Sequence, residues 1–263
     1  MKIIKWEKKI LLQVSLVILV IGLLAGGFVG YTIKAKQSQK IIRQKERQLA
    51  QKEVQAKKVQ DAQKKQEKQE KEKKKEIPWN LQLINEAQPM DPAFVPELVS
   101  LNDEYSVDKR IVESVNQLLE AAKTEGLAMH ICSAYRSIEK QQEVFNTTIA
   151  QNLNEGTDYL TAYNTTRQSV ALPGTSEHGL GLALDIVSEA YQELDTKQAE
   201  TPESQWLAKN AAKYGFILRY PPEKSAETRI IYEPWHYRYV GVEDATKIMG
   251  AGVTLEQYLK DNY

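Results

Sequence analysis

From residue 77 onward, apolar positions recur with the periods of helices and strands. Helical spacing behind a polar capping residue predicts helices over residues 108–125, 137–152, 158–170 and 201–215. Short apolar runs bounded by Gly, Pro or Ser predict strands over residues 127–133, 182–187, 216–219 and 236–240. Two short helices complete the chain, and residues 79–85 alternate like an edge strand. With no Rossmann glycine fingerprint, this order predicts an α+β domain, a small antiparallel sheet flanked by helices.

Residues 10–33 form a longer apolar segment that carries no charge. A helix of that length can cross about 30 Å of hydrocarbon. A cleaved signal peptide is the alternative, but no convincing small-x-small site ends the segment. We therefore expect a single-pass transmembrane signal-anchor, preceded by a short basic cytoplasmic tail at residues 1–9.

Residues 34–76 contain neither Gly nor Pro and consist almost wholly of Lys, Gln, Glu and Ala. As a helix the segment would reach about 65 Å. The sparse apolar residues hold no sustained heptad, so a coiled coil is not favoured. The pattern is typical of a charged helical or disordered spacer. Its 16 basic and 7 acidic side chains leave open a second role as a basic stalk along an anionic membrane or cell wall.

Charge and cysteine content exclude several classes of function for the domain at residues 77–263. The whole chain is neutral, but this part has 15 basic and 27 acidic side chains, which argues against nucleic acid as a partner. Cys132 is the single cysteine, so the chain can form neither an internal disulfide nor a Cys-rich zinc site. We expect Cys132 to be a small buried apolar residue.

The predicted strand over residues 182–187 carries a carboxylate in an otherwise apolar run. Asp185 should be buried there, and a buried carboxylate needs an arginine, hydrogen bonds or a metal ion as its partner. His178 precedes it by seven residues, across two glycines. Taken alone, this pair is better explained by a salt bridge from an arginine to Asp185, with His178 an ordinary loop residue, than by a metal site.

The segment Glu233-Pro-Trp-His236 supplies a candidate third ligand. Pro234 interrupts strand pairing and can turn Glu233 and His236 towards one point. Two histidines and one carboxylate are a ligand set for catalytic zinc, which keeps a fourth position for water. A separate glutamate would then act as the base.

Three motifs together resemble a known family. They are Ser176-x-His178-x-x-Gly181-x-Ala183-x-Asp185, Glu233-Pro-Trp-His236-Tyr-Arg-Tyr-Val-Gly and Ser133-Ala-Tyr-Arg136-Ser. The chain from residue 77 resembles the zinc D-alanyl-D-alanine carboxypeptidases of the VanY type, which are M15B-like peptidases. The usual glycine of the third motif is Ala134 here, a small change that should leave Arg136 in place.

The resemblance implies roles for particular residues. His178, Asp185 and His236 would bind Zn²⁺, Glu233 would be the catalytic base, and Arg136 would reach the scissile carbonyl or its oxyanion. Ser176 and Gln141 are candidate substrate contacts, although either could instead cap a helix or support a ligand. Trp235 and the tyrosines at positions 220, 232, 237 and 239 could wall a cleft or pack in the core. We expect His130, in a strand away from the motifs, to be structural.

The resemblance also implies a metallopeptidase that acts on the bacterial cell wall. Residues 77–263 would remove the terminal D-alanine from peptidoglycan stem peptides outside the cytoplasmic membrane, to which residues 10–33 would hold the chain. D,D-carboxypeptidase activity is favoured. The alternatives are L,D-carboxypeptidase activity on tetrapeptides, another D-Ala peptidase activity of the same fold, or a non-catalytic wall-binding scaffold. No obligate protein partner is expected.

Overall fold

The computed structural model describes residues 34, 36–64 and 76–263. Residues 36–64 form one helix, α1, whose side chains are exposed. The predicted tail, the signal-anchor at residues 10–33 and residues 65–75 of the spacer lie outside the described residues. Among the residues described, no helix is both long and apolar enough to cross a bilayer.

The unit from Lys75 to Tyr263 is built on two antiparallel sheets. The smaller sheet pairs β1 (Leu98–Ser100) with β2 (Ser106–Asp108). The larger sheet has the order β3-β4-β6-β5, with β3 at Met129–Ser133, β4 at Ala183–Ser188, β5 at Phe216–Leu218 and β6 at His236–Tyr239. Every neighbouring pair in the larger sheet is antiparallel, which confirms the predicted α+β class.

Seven helices in this unit accompany the sheets. They are α2 (Val112–Thr124), α3 (Ile138–Asn154), α4 (Tyr159–Ser169), α5 (Pro202–Asn210), α6 (Ser225–Thr228), α7 (Val242–Ala251) and α8 (Leu255–Asn262). The predicted caps at Ser137, Asp158 and Thr201 each accept a hydrogen bond from the first turn of the helix that follows. These three helices therefore begin where the sequence predicted, because each cap satisfies a backbone N–H that would otherwise lack a partner.

Strand β4 lies in the middle of the core, and all six of its residues are buried. Leu182, Leu184 and Ile186 belong to the main hydrophobic cluster, together with residues of α2 and Phe216 of β5. Asp185 lies between Leu184 and Ile186, so alternation turns its side chain to the opposite face of the strand. The apolar face fixes the strand in the core, and the other face carries the carboxylate.

The predicted edge strand at residues 79–85 is wrong. Trp79–Leu81 is instead a short 3-10 helix, and the later residues form no strand. The carbonyls of Asn80 and Gln82 accept hydrogen bonds from the guanidinium of Arg238, and the Asn80 side chain donates to the carbonyl of Val240. The Arg238 side chain thus occupies two carbonyls that a neighbouring strand would have paired.

Asp108 ends β2 and does not cap α2, which begins at Val112. Its carboxylate accepts hydrogen bonds from the backbone and side chain of Arg110, closing a tight turn before the helix. The predicted stop is confirmed, since Gly126 follows the helix with a φ of 80°. Helix α2 begins later than predicted because the Asp108 carboxylate accepts its hydrogen bonds from Arg110 in the turn and none from the first turn of the helix.

Gly181 is a position where a side chain should destabilise the fold. It has a φ of 68°, and a Cβ there would lie 2.8 Å from the backbone nitrogen of Asp108. We expect Gly181→Ala to lower the free energy of unfolding by about 1–3 kcal/mol. Gly250 in α7 is the matched control because a Cβ there meets nothing within 4 Å, and Gly250→Ala should be neutral or stabilising. Denaturant unfolding measures both, and equal effects of the two substitutions would contradict this account.

Candidate metal centre and active site

Three side chains converge where β4 and β6 pair. Asp185 and His236 are direct register partners in these strands, and His178 lies on the short 3-10 helix Glu177–Leu180 that precedes β4. One Asp185 oxygen is 3.2 Å from Nε2 of His178, and the other is 3.0 Å from Nδ1 of His236. One ligand atom from each residue lies within 4.8 Å of the others, and all three side chains are buried. This geometry can hold a metal ion.

The turn at Pro234 brings Glu233 to the same place. The backbone N–H of His236 donates to the carbonyl of Glu233 at 3.2 Å, and the backbone N–H of Glu233 donates to the carbonyl of Tyr220. A Glu233 carboxylate oxygen therefore lies 3.9 Å from Nδ1 of His236. The interruption by proline orients both side chains towards one point, as the sequence predicted.

Hydrogen bonding fixes which nitrogen His178 offers to the centre. Its Nδ1 lies 2.7 Å from the carbonyl oxygen of Ala134, which can only accept, so Nδ1 carries the proton. Nε2 then presents its lone pair towards Asp185. A neutral imidazole with its other nitrogen bound to a carbonyl is the usual form of a metal-ligating histidine. The donor set of two imidazole nitrogens and one carboxylate therefore fits a zinc ion.

Asp185 has more than one charge partner. Burial alone would raise the pKa of its carboxyl, but His178 and His236 hold that pKa well below its usual range. Nη2 of Arg136 lies 3.7 Å from the same carboxylate and donates to Ser133 Oγ at 3.0 Å. The salt bridge left open by the sequence is thus present beside the two histidines and does not replace them.

Glu233 differs from the other carboxylates of the site. It is 5% exposed, and burial raises the pKa of its carboxyl to about 8, although His236 opposes this effect. Asp185 adds to the increase, because a second negative charge nearby disfavours ionisation. Two neighbouring carboxyls with pKa values displaced in opposite directions are typical of a site that divides the roles of ligand and base.

A cavity of about 410 Å³ opens over the three candidate ligands. Eight of the candidate site residues line it: Arg136, Gln141, Ser176, His178, Asp185, Glu233, Trp235 and His236. The candidate cleft tyrosines at positions 232, 237 and 239 do not. The Gln141 side chain donates to the carbonyl of Ala171 at 2.6 Å, so part of it supports the wall. Tyr220 lines the cavity as well, with its ring 4.8 Å from that of His236.

Two residues singled out in the sequence lie elsewhere. Nδ1 of His130 is 3.5 Å from a Glu189 oxygen, and His130 lines neither the cavity nor the metal cluster, in agreement with the expected structural role. Cys132 is half-buried, and its thiol contacts the carbonyl of Asp185 at 3.5 Å. Burial raises the pKa of this thiol to about 12, so it is neutral at physiological pH and behaves as an apolar residue.

A buried charge cluster that was not predicted from the sequence lies behind the site. Glu177 contacts both Arg219 and Arg238, and the exposure of all three side chains is 1% or less. Glu177 adjoins His178 in the chain, but the arginines lie 42 and 61 residues further on. The available signal was one arginine directly after the apolar strand β5 and another inside the buried strand β6.

Comparisons with known proteins agree with this geometry. The family model of VanY, D-alanyl-D-alanine carboxypeptidase, matches residues 104–242. A D-alanyl-D-alanine carboxypeptidase of Enterococcus faecalis is 39% identical over 69% of this chain and 66% of its own length, so slightly under two thirds of that relative is matched.

Solved structures show the same likeness. A vancomycin-resistance D,D-pentapeptidase, a VanY mutant in complex with Zn(II), is 39% identical with a TM-score of 0.64, covering 69% of this chain and 99% of its own. The LD-carboxypeptidase LdcB is 33% identical with a TM-score of 0.60, covering 69% of this chain and 86% of its own. By the extent of the family match, this chain belongs to the VanY D-alanyl-D-alanine carboxypeptidase family.

Proposed function

We propose that this protein is a zinc-dependent carboxypeptidase that removes the terminal D-alanine from peptidoglycan stem peptides. The observation that carries the proposal is the convergence of His178, Asp185 and His236 beneath a cavity that Glu233 and Arg136 also line. The Zn(II) complex of a VanY relative supports zinc as the ion that these three residues hold. When bound, zinc supplies a Lewis acid that polarises the peptide carbonyl and lowers the pKa of water.

Glu233 is the proposed base. Its carboxylate faces the cavity beside the metal ligands, and burial raises its pKa, which makes it a stronger proton acceptor than an exposed carboxylate. Glu233 would take the proton from the attacking water and later give it to the leaving amine of D-alanine.

Arg136 is the proposed partner of the negative charge that develops on the carbonyl oxygen. Its guanidinium is mostly buried, fixed by Ser133 and Asp185, and borders the cavity. A fixed donor in a largely dry site stabilises such charge more than water does. Ser176, Gln141 and Trp235 would contact the peptide from the surrounding walls.

Replacing Arg136 with lysine should distinguish the contribution of the guanidinium geometry to catalysis from that of its positive charge. Lysine keeps the positive charge but lacks the planar fork that holds two acceptors at once. We expect Arg136→Lys to lower kcat by about 10²-fold, the range for losing one oxyanion donor, with KM changed by less. Steady-state kinetics of D-alanine release measure this. An unchanged kcat would exclude Arg136 from contact with the reacting carbonyl.

D,D-carboxypeptidase activity is the favoured reaction, and the likeness to LdcB supports L,D-carboxypeptidase activity as the second candidate. Incubating the protein with pentapeptide and tetrapeptide stems side by side, with product masses measured, distinguishes them. D,D activity converts the pentapeptide to a tetrapeptide, whereas L,D activity converts the tetrapeptide to a tripeptide. A protein that shortens neither peptide while it binds zinc would instead support a wall-binding scaffold.

We also propose that residues 10–33 hold the protein in the cytoplasmic membrane with the domain outside. The charge-free apolar run supports a membrane-spanning role, and the basic spacer would let the domain reach a polymer away from the bilayer. Fractionation of cells that express the full chain should place it with membranes. A chain lacking residues 1–33 that stays equally membrane-bound would contradict this assignment.

A further inference from the structure

Two buried polar atoms face each other behind the metal centre. Oε2 of Glu177 and Nε2 of His236 lie 3.7 Å apart, and within the described part of the chain neither has a hydrogen-bond partner. The opposite nitrogen of the same ring, Nδ1, faces Asp185. His236 is therefore placed between the ligand set on one side and the carboxylate of Glu177 on the other.

The position of the Glu177 carboxylate is fixed by two arginines. Its Oε1 accepts a hydrogen bond from Nε of Arg219 at 2.8 Å and from Nη1 of Arg238 at 2.7 Å. Because both arginines use the same oxygen, Oε2 remains directed at His236. Two fully buried cations also keep Glu177 ionised in a place where an isolated carboxylate would be strongly disfavoured.

The arginines are themselves held by distant parts of the fold. Arg219 donates twice to the carboxylate of Glu256 in α8, at 2.8 and 2.7 Å. Arg238 donates to the carbonyls of Asn80 and Gln82, before the first strand. Among the described residues, Glu177 is thus the member of this charge cluster whose side chain faces the ring of a proposed zinc ligand, and the two arginines prevent it from turning away.

We infer that Glu177 is a positioning residue that holds His236 in the orientation and tautomer required for metal binding. This inference rests on the proposed zinc site. The ionised carboxylate can only accept a hydrogen bond, so it favours the proton on Nε2 and leaves the lone pair of Nδ1 directed at the ion. Carboxylates that orient a ligating histidine in this way typically raise metal affinity by about 10–100-fold.

Glu177→Gln should reverse this preference with little change in shape. The two arginines require the amide oxygen at the position of Oε1, so the NH₂ group must face Nε2 of His236. Two donors would then oppose each other unless the ring moves its proton to Nδ1, the nitrogen that must be free for the metal. The substitution therefore acts against the ligating tautomer as well as removing a charge.

The test is the zinc affinity of the purified full-length protein, measured without substrate by competition with a chromogenic chelator. We expect Glu177→Gln to weaken zinc binding by about 10–100-fold. Glu256→Gln is the matched control, because it removes the other carboxylate bound to Arg219 and leaves the contact between Glu177 and His236 intact. Its zinc affinity should stay within about threefold of the unmodified protein, even if its thermal stability falls.

Glu177→Asp covers the case in which the glutamine variant does not fold. It keeps a negative charge for the arginines but withdraws the carboxylate from His236 by one methylene, and zinc affinity should again fall. Unchanged affinity in either folded Glu177 variant, or an equal loss in Glu256→Gln, would overturn the positioning role. Failure of the unmodified protein to bind zinc would instead refute the proposed metal site itself.

Discussion

Replacing Glu233 with alanine should leave the protein folded and able to bind zinc, while kcat for D-alanine release falls by about 10²–10⁴-fold, the usual contribution of a positioned base. Glu233 contributes no atom to the candidate ligand cluster, so the ion should stay. Among the described side chains, none donates a hydrogen bond to Glu233, and Nδ1 of His236 lies 3.9 Å from its carboxylate. Removing the Glu233 side chain should therefore cost little stability. Zinc content and steady-state kinetics on a stem peptide measure the two effects separately.

Glu203 provides the control for this substitution. It is also a largely buried glutamate, but it lies in the first turn of α5 and does not line the cavity. Glu203→Ala should therefore keep kcat within a few fold. Normal turnover by the Glu233→Ala protein would exclude Glu233 as the base, and equal losses in both variants would indicate a general effect on folding.

Replacing Asp185 with alanine should abolish the metal site. Asp185 lies between the two histidines, and its carboxylate is the one anionic member of the candidate ligand set. We expect zinc affinity to fall by more than about 100-fold, which is beyond the effect of losing an outer hydrogen-bond partner. Activity should fall with metal occupancy. Elemental analysis after gel filtration measures the zinc that remains.

Asp261 in α8 is an exposed aspartate suited to the comparison, since its carboxylate accepts a hydrogen bond from Gln257 alone among the described residues. Asp261→Ala should keep full zinc content and full activity. Circular dichroism checks that the Asp185→Ala protein is folded. A folded Asp185→Ala protein that retains one zinc per chain would place the metal elsewhere.

The sequence predicted those features that depend on neighbouring residues. Ser137, Asp158 and Thr201 cap helices because the cap and the N–H groups it satisfies lie within three residues of one another. His178 and Asp185 could be recognised as a pair because the turn and strand that hold them are contiguous. His236 could be recognised as the third candidate ligand because Pro234 restricts the backbone locally and turns this residue towards the site.

The features that the sequence did not predict depend on residues far apart in the chain. Residues 79–85 alternate like a strand, but Arg238 binds the carbonyls that a strand would use. The contacts of Glu177 could not be predicted for the same reason, since the residues beside it in the chain do not indicate that Arg219 and Arg238 will bind it. Alternation identifies which side chains turn inward, but it does not tell which buried charges will meet.

The most direct test of the account is a zinc titration of the metal-free full-length protein, with D-alanine release from a pentapeptide followed at each step. We predict that activity is absent without metal and rises in proportion to added zinc until about one ion is bound per chain, as a single site of three protein ligands requires. Full D-alanine release in the presence of a strong chelator, with no zinc detectable in the protein, would contradict the account.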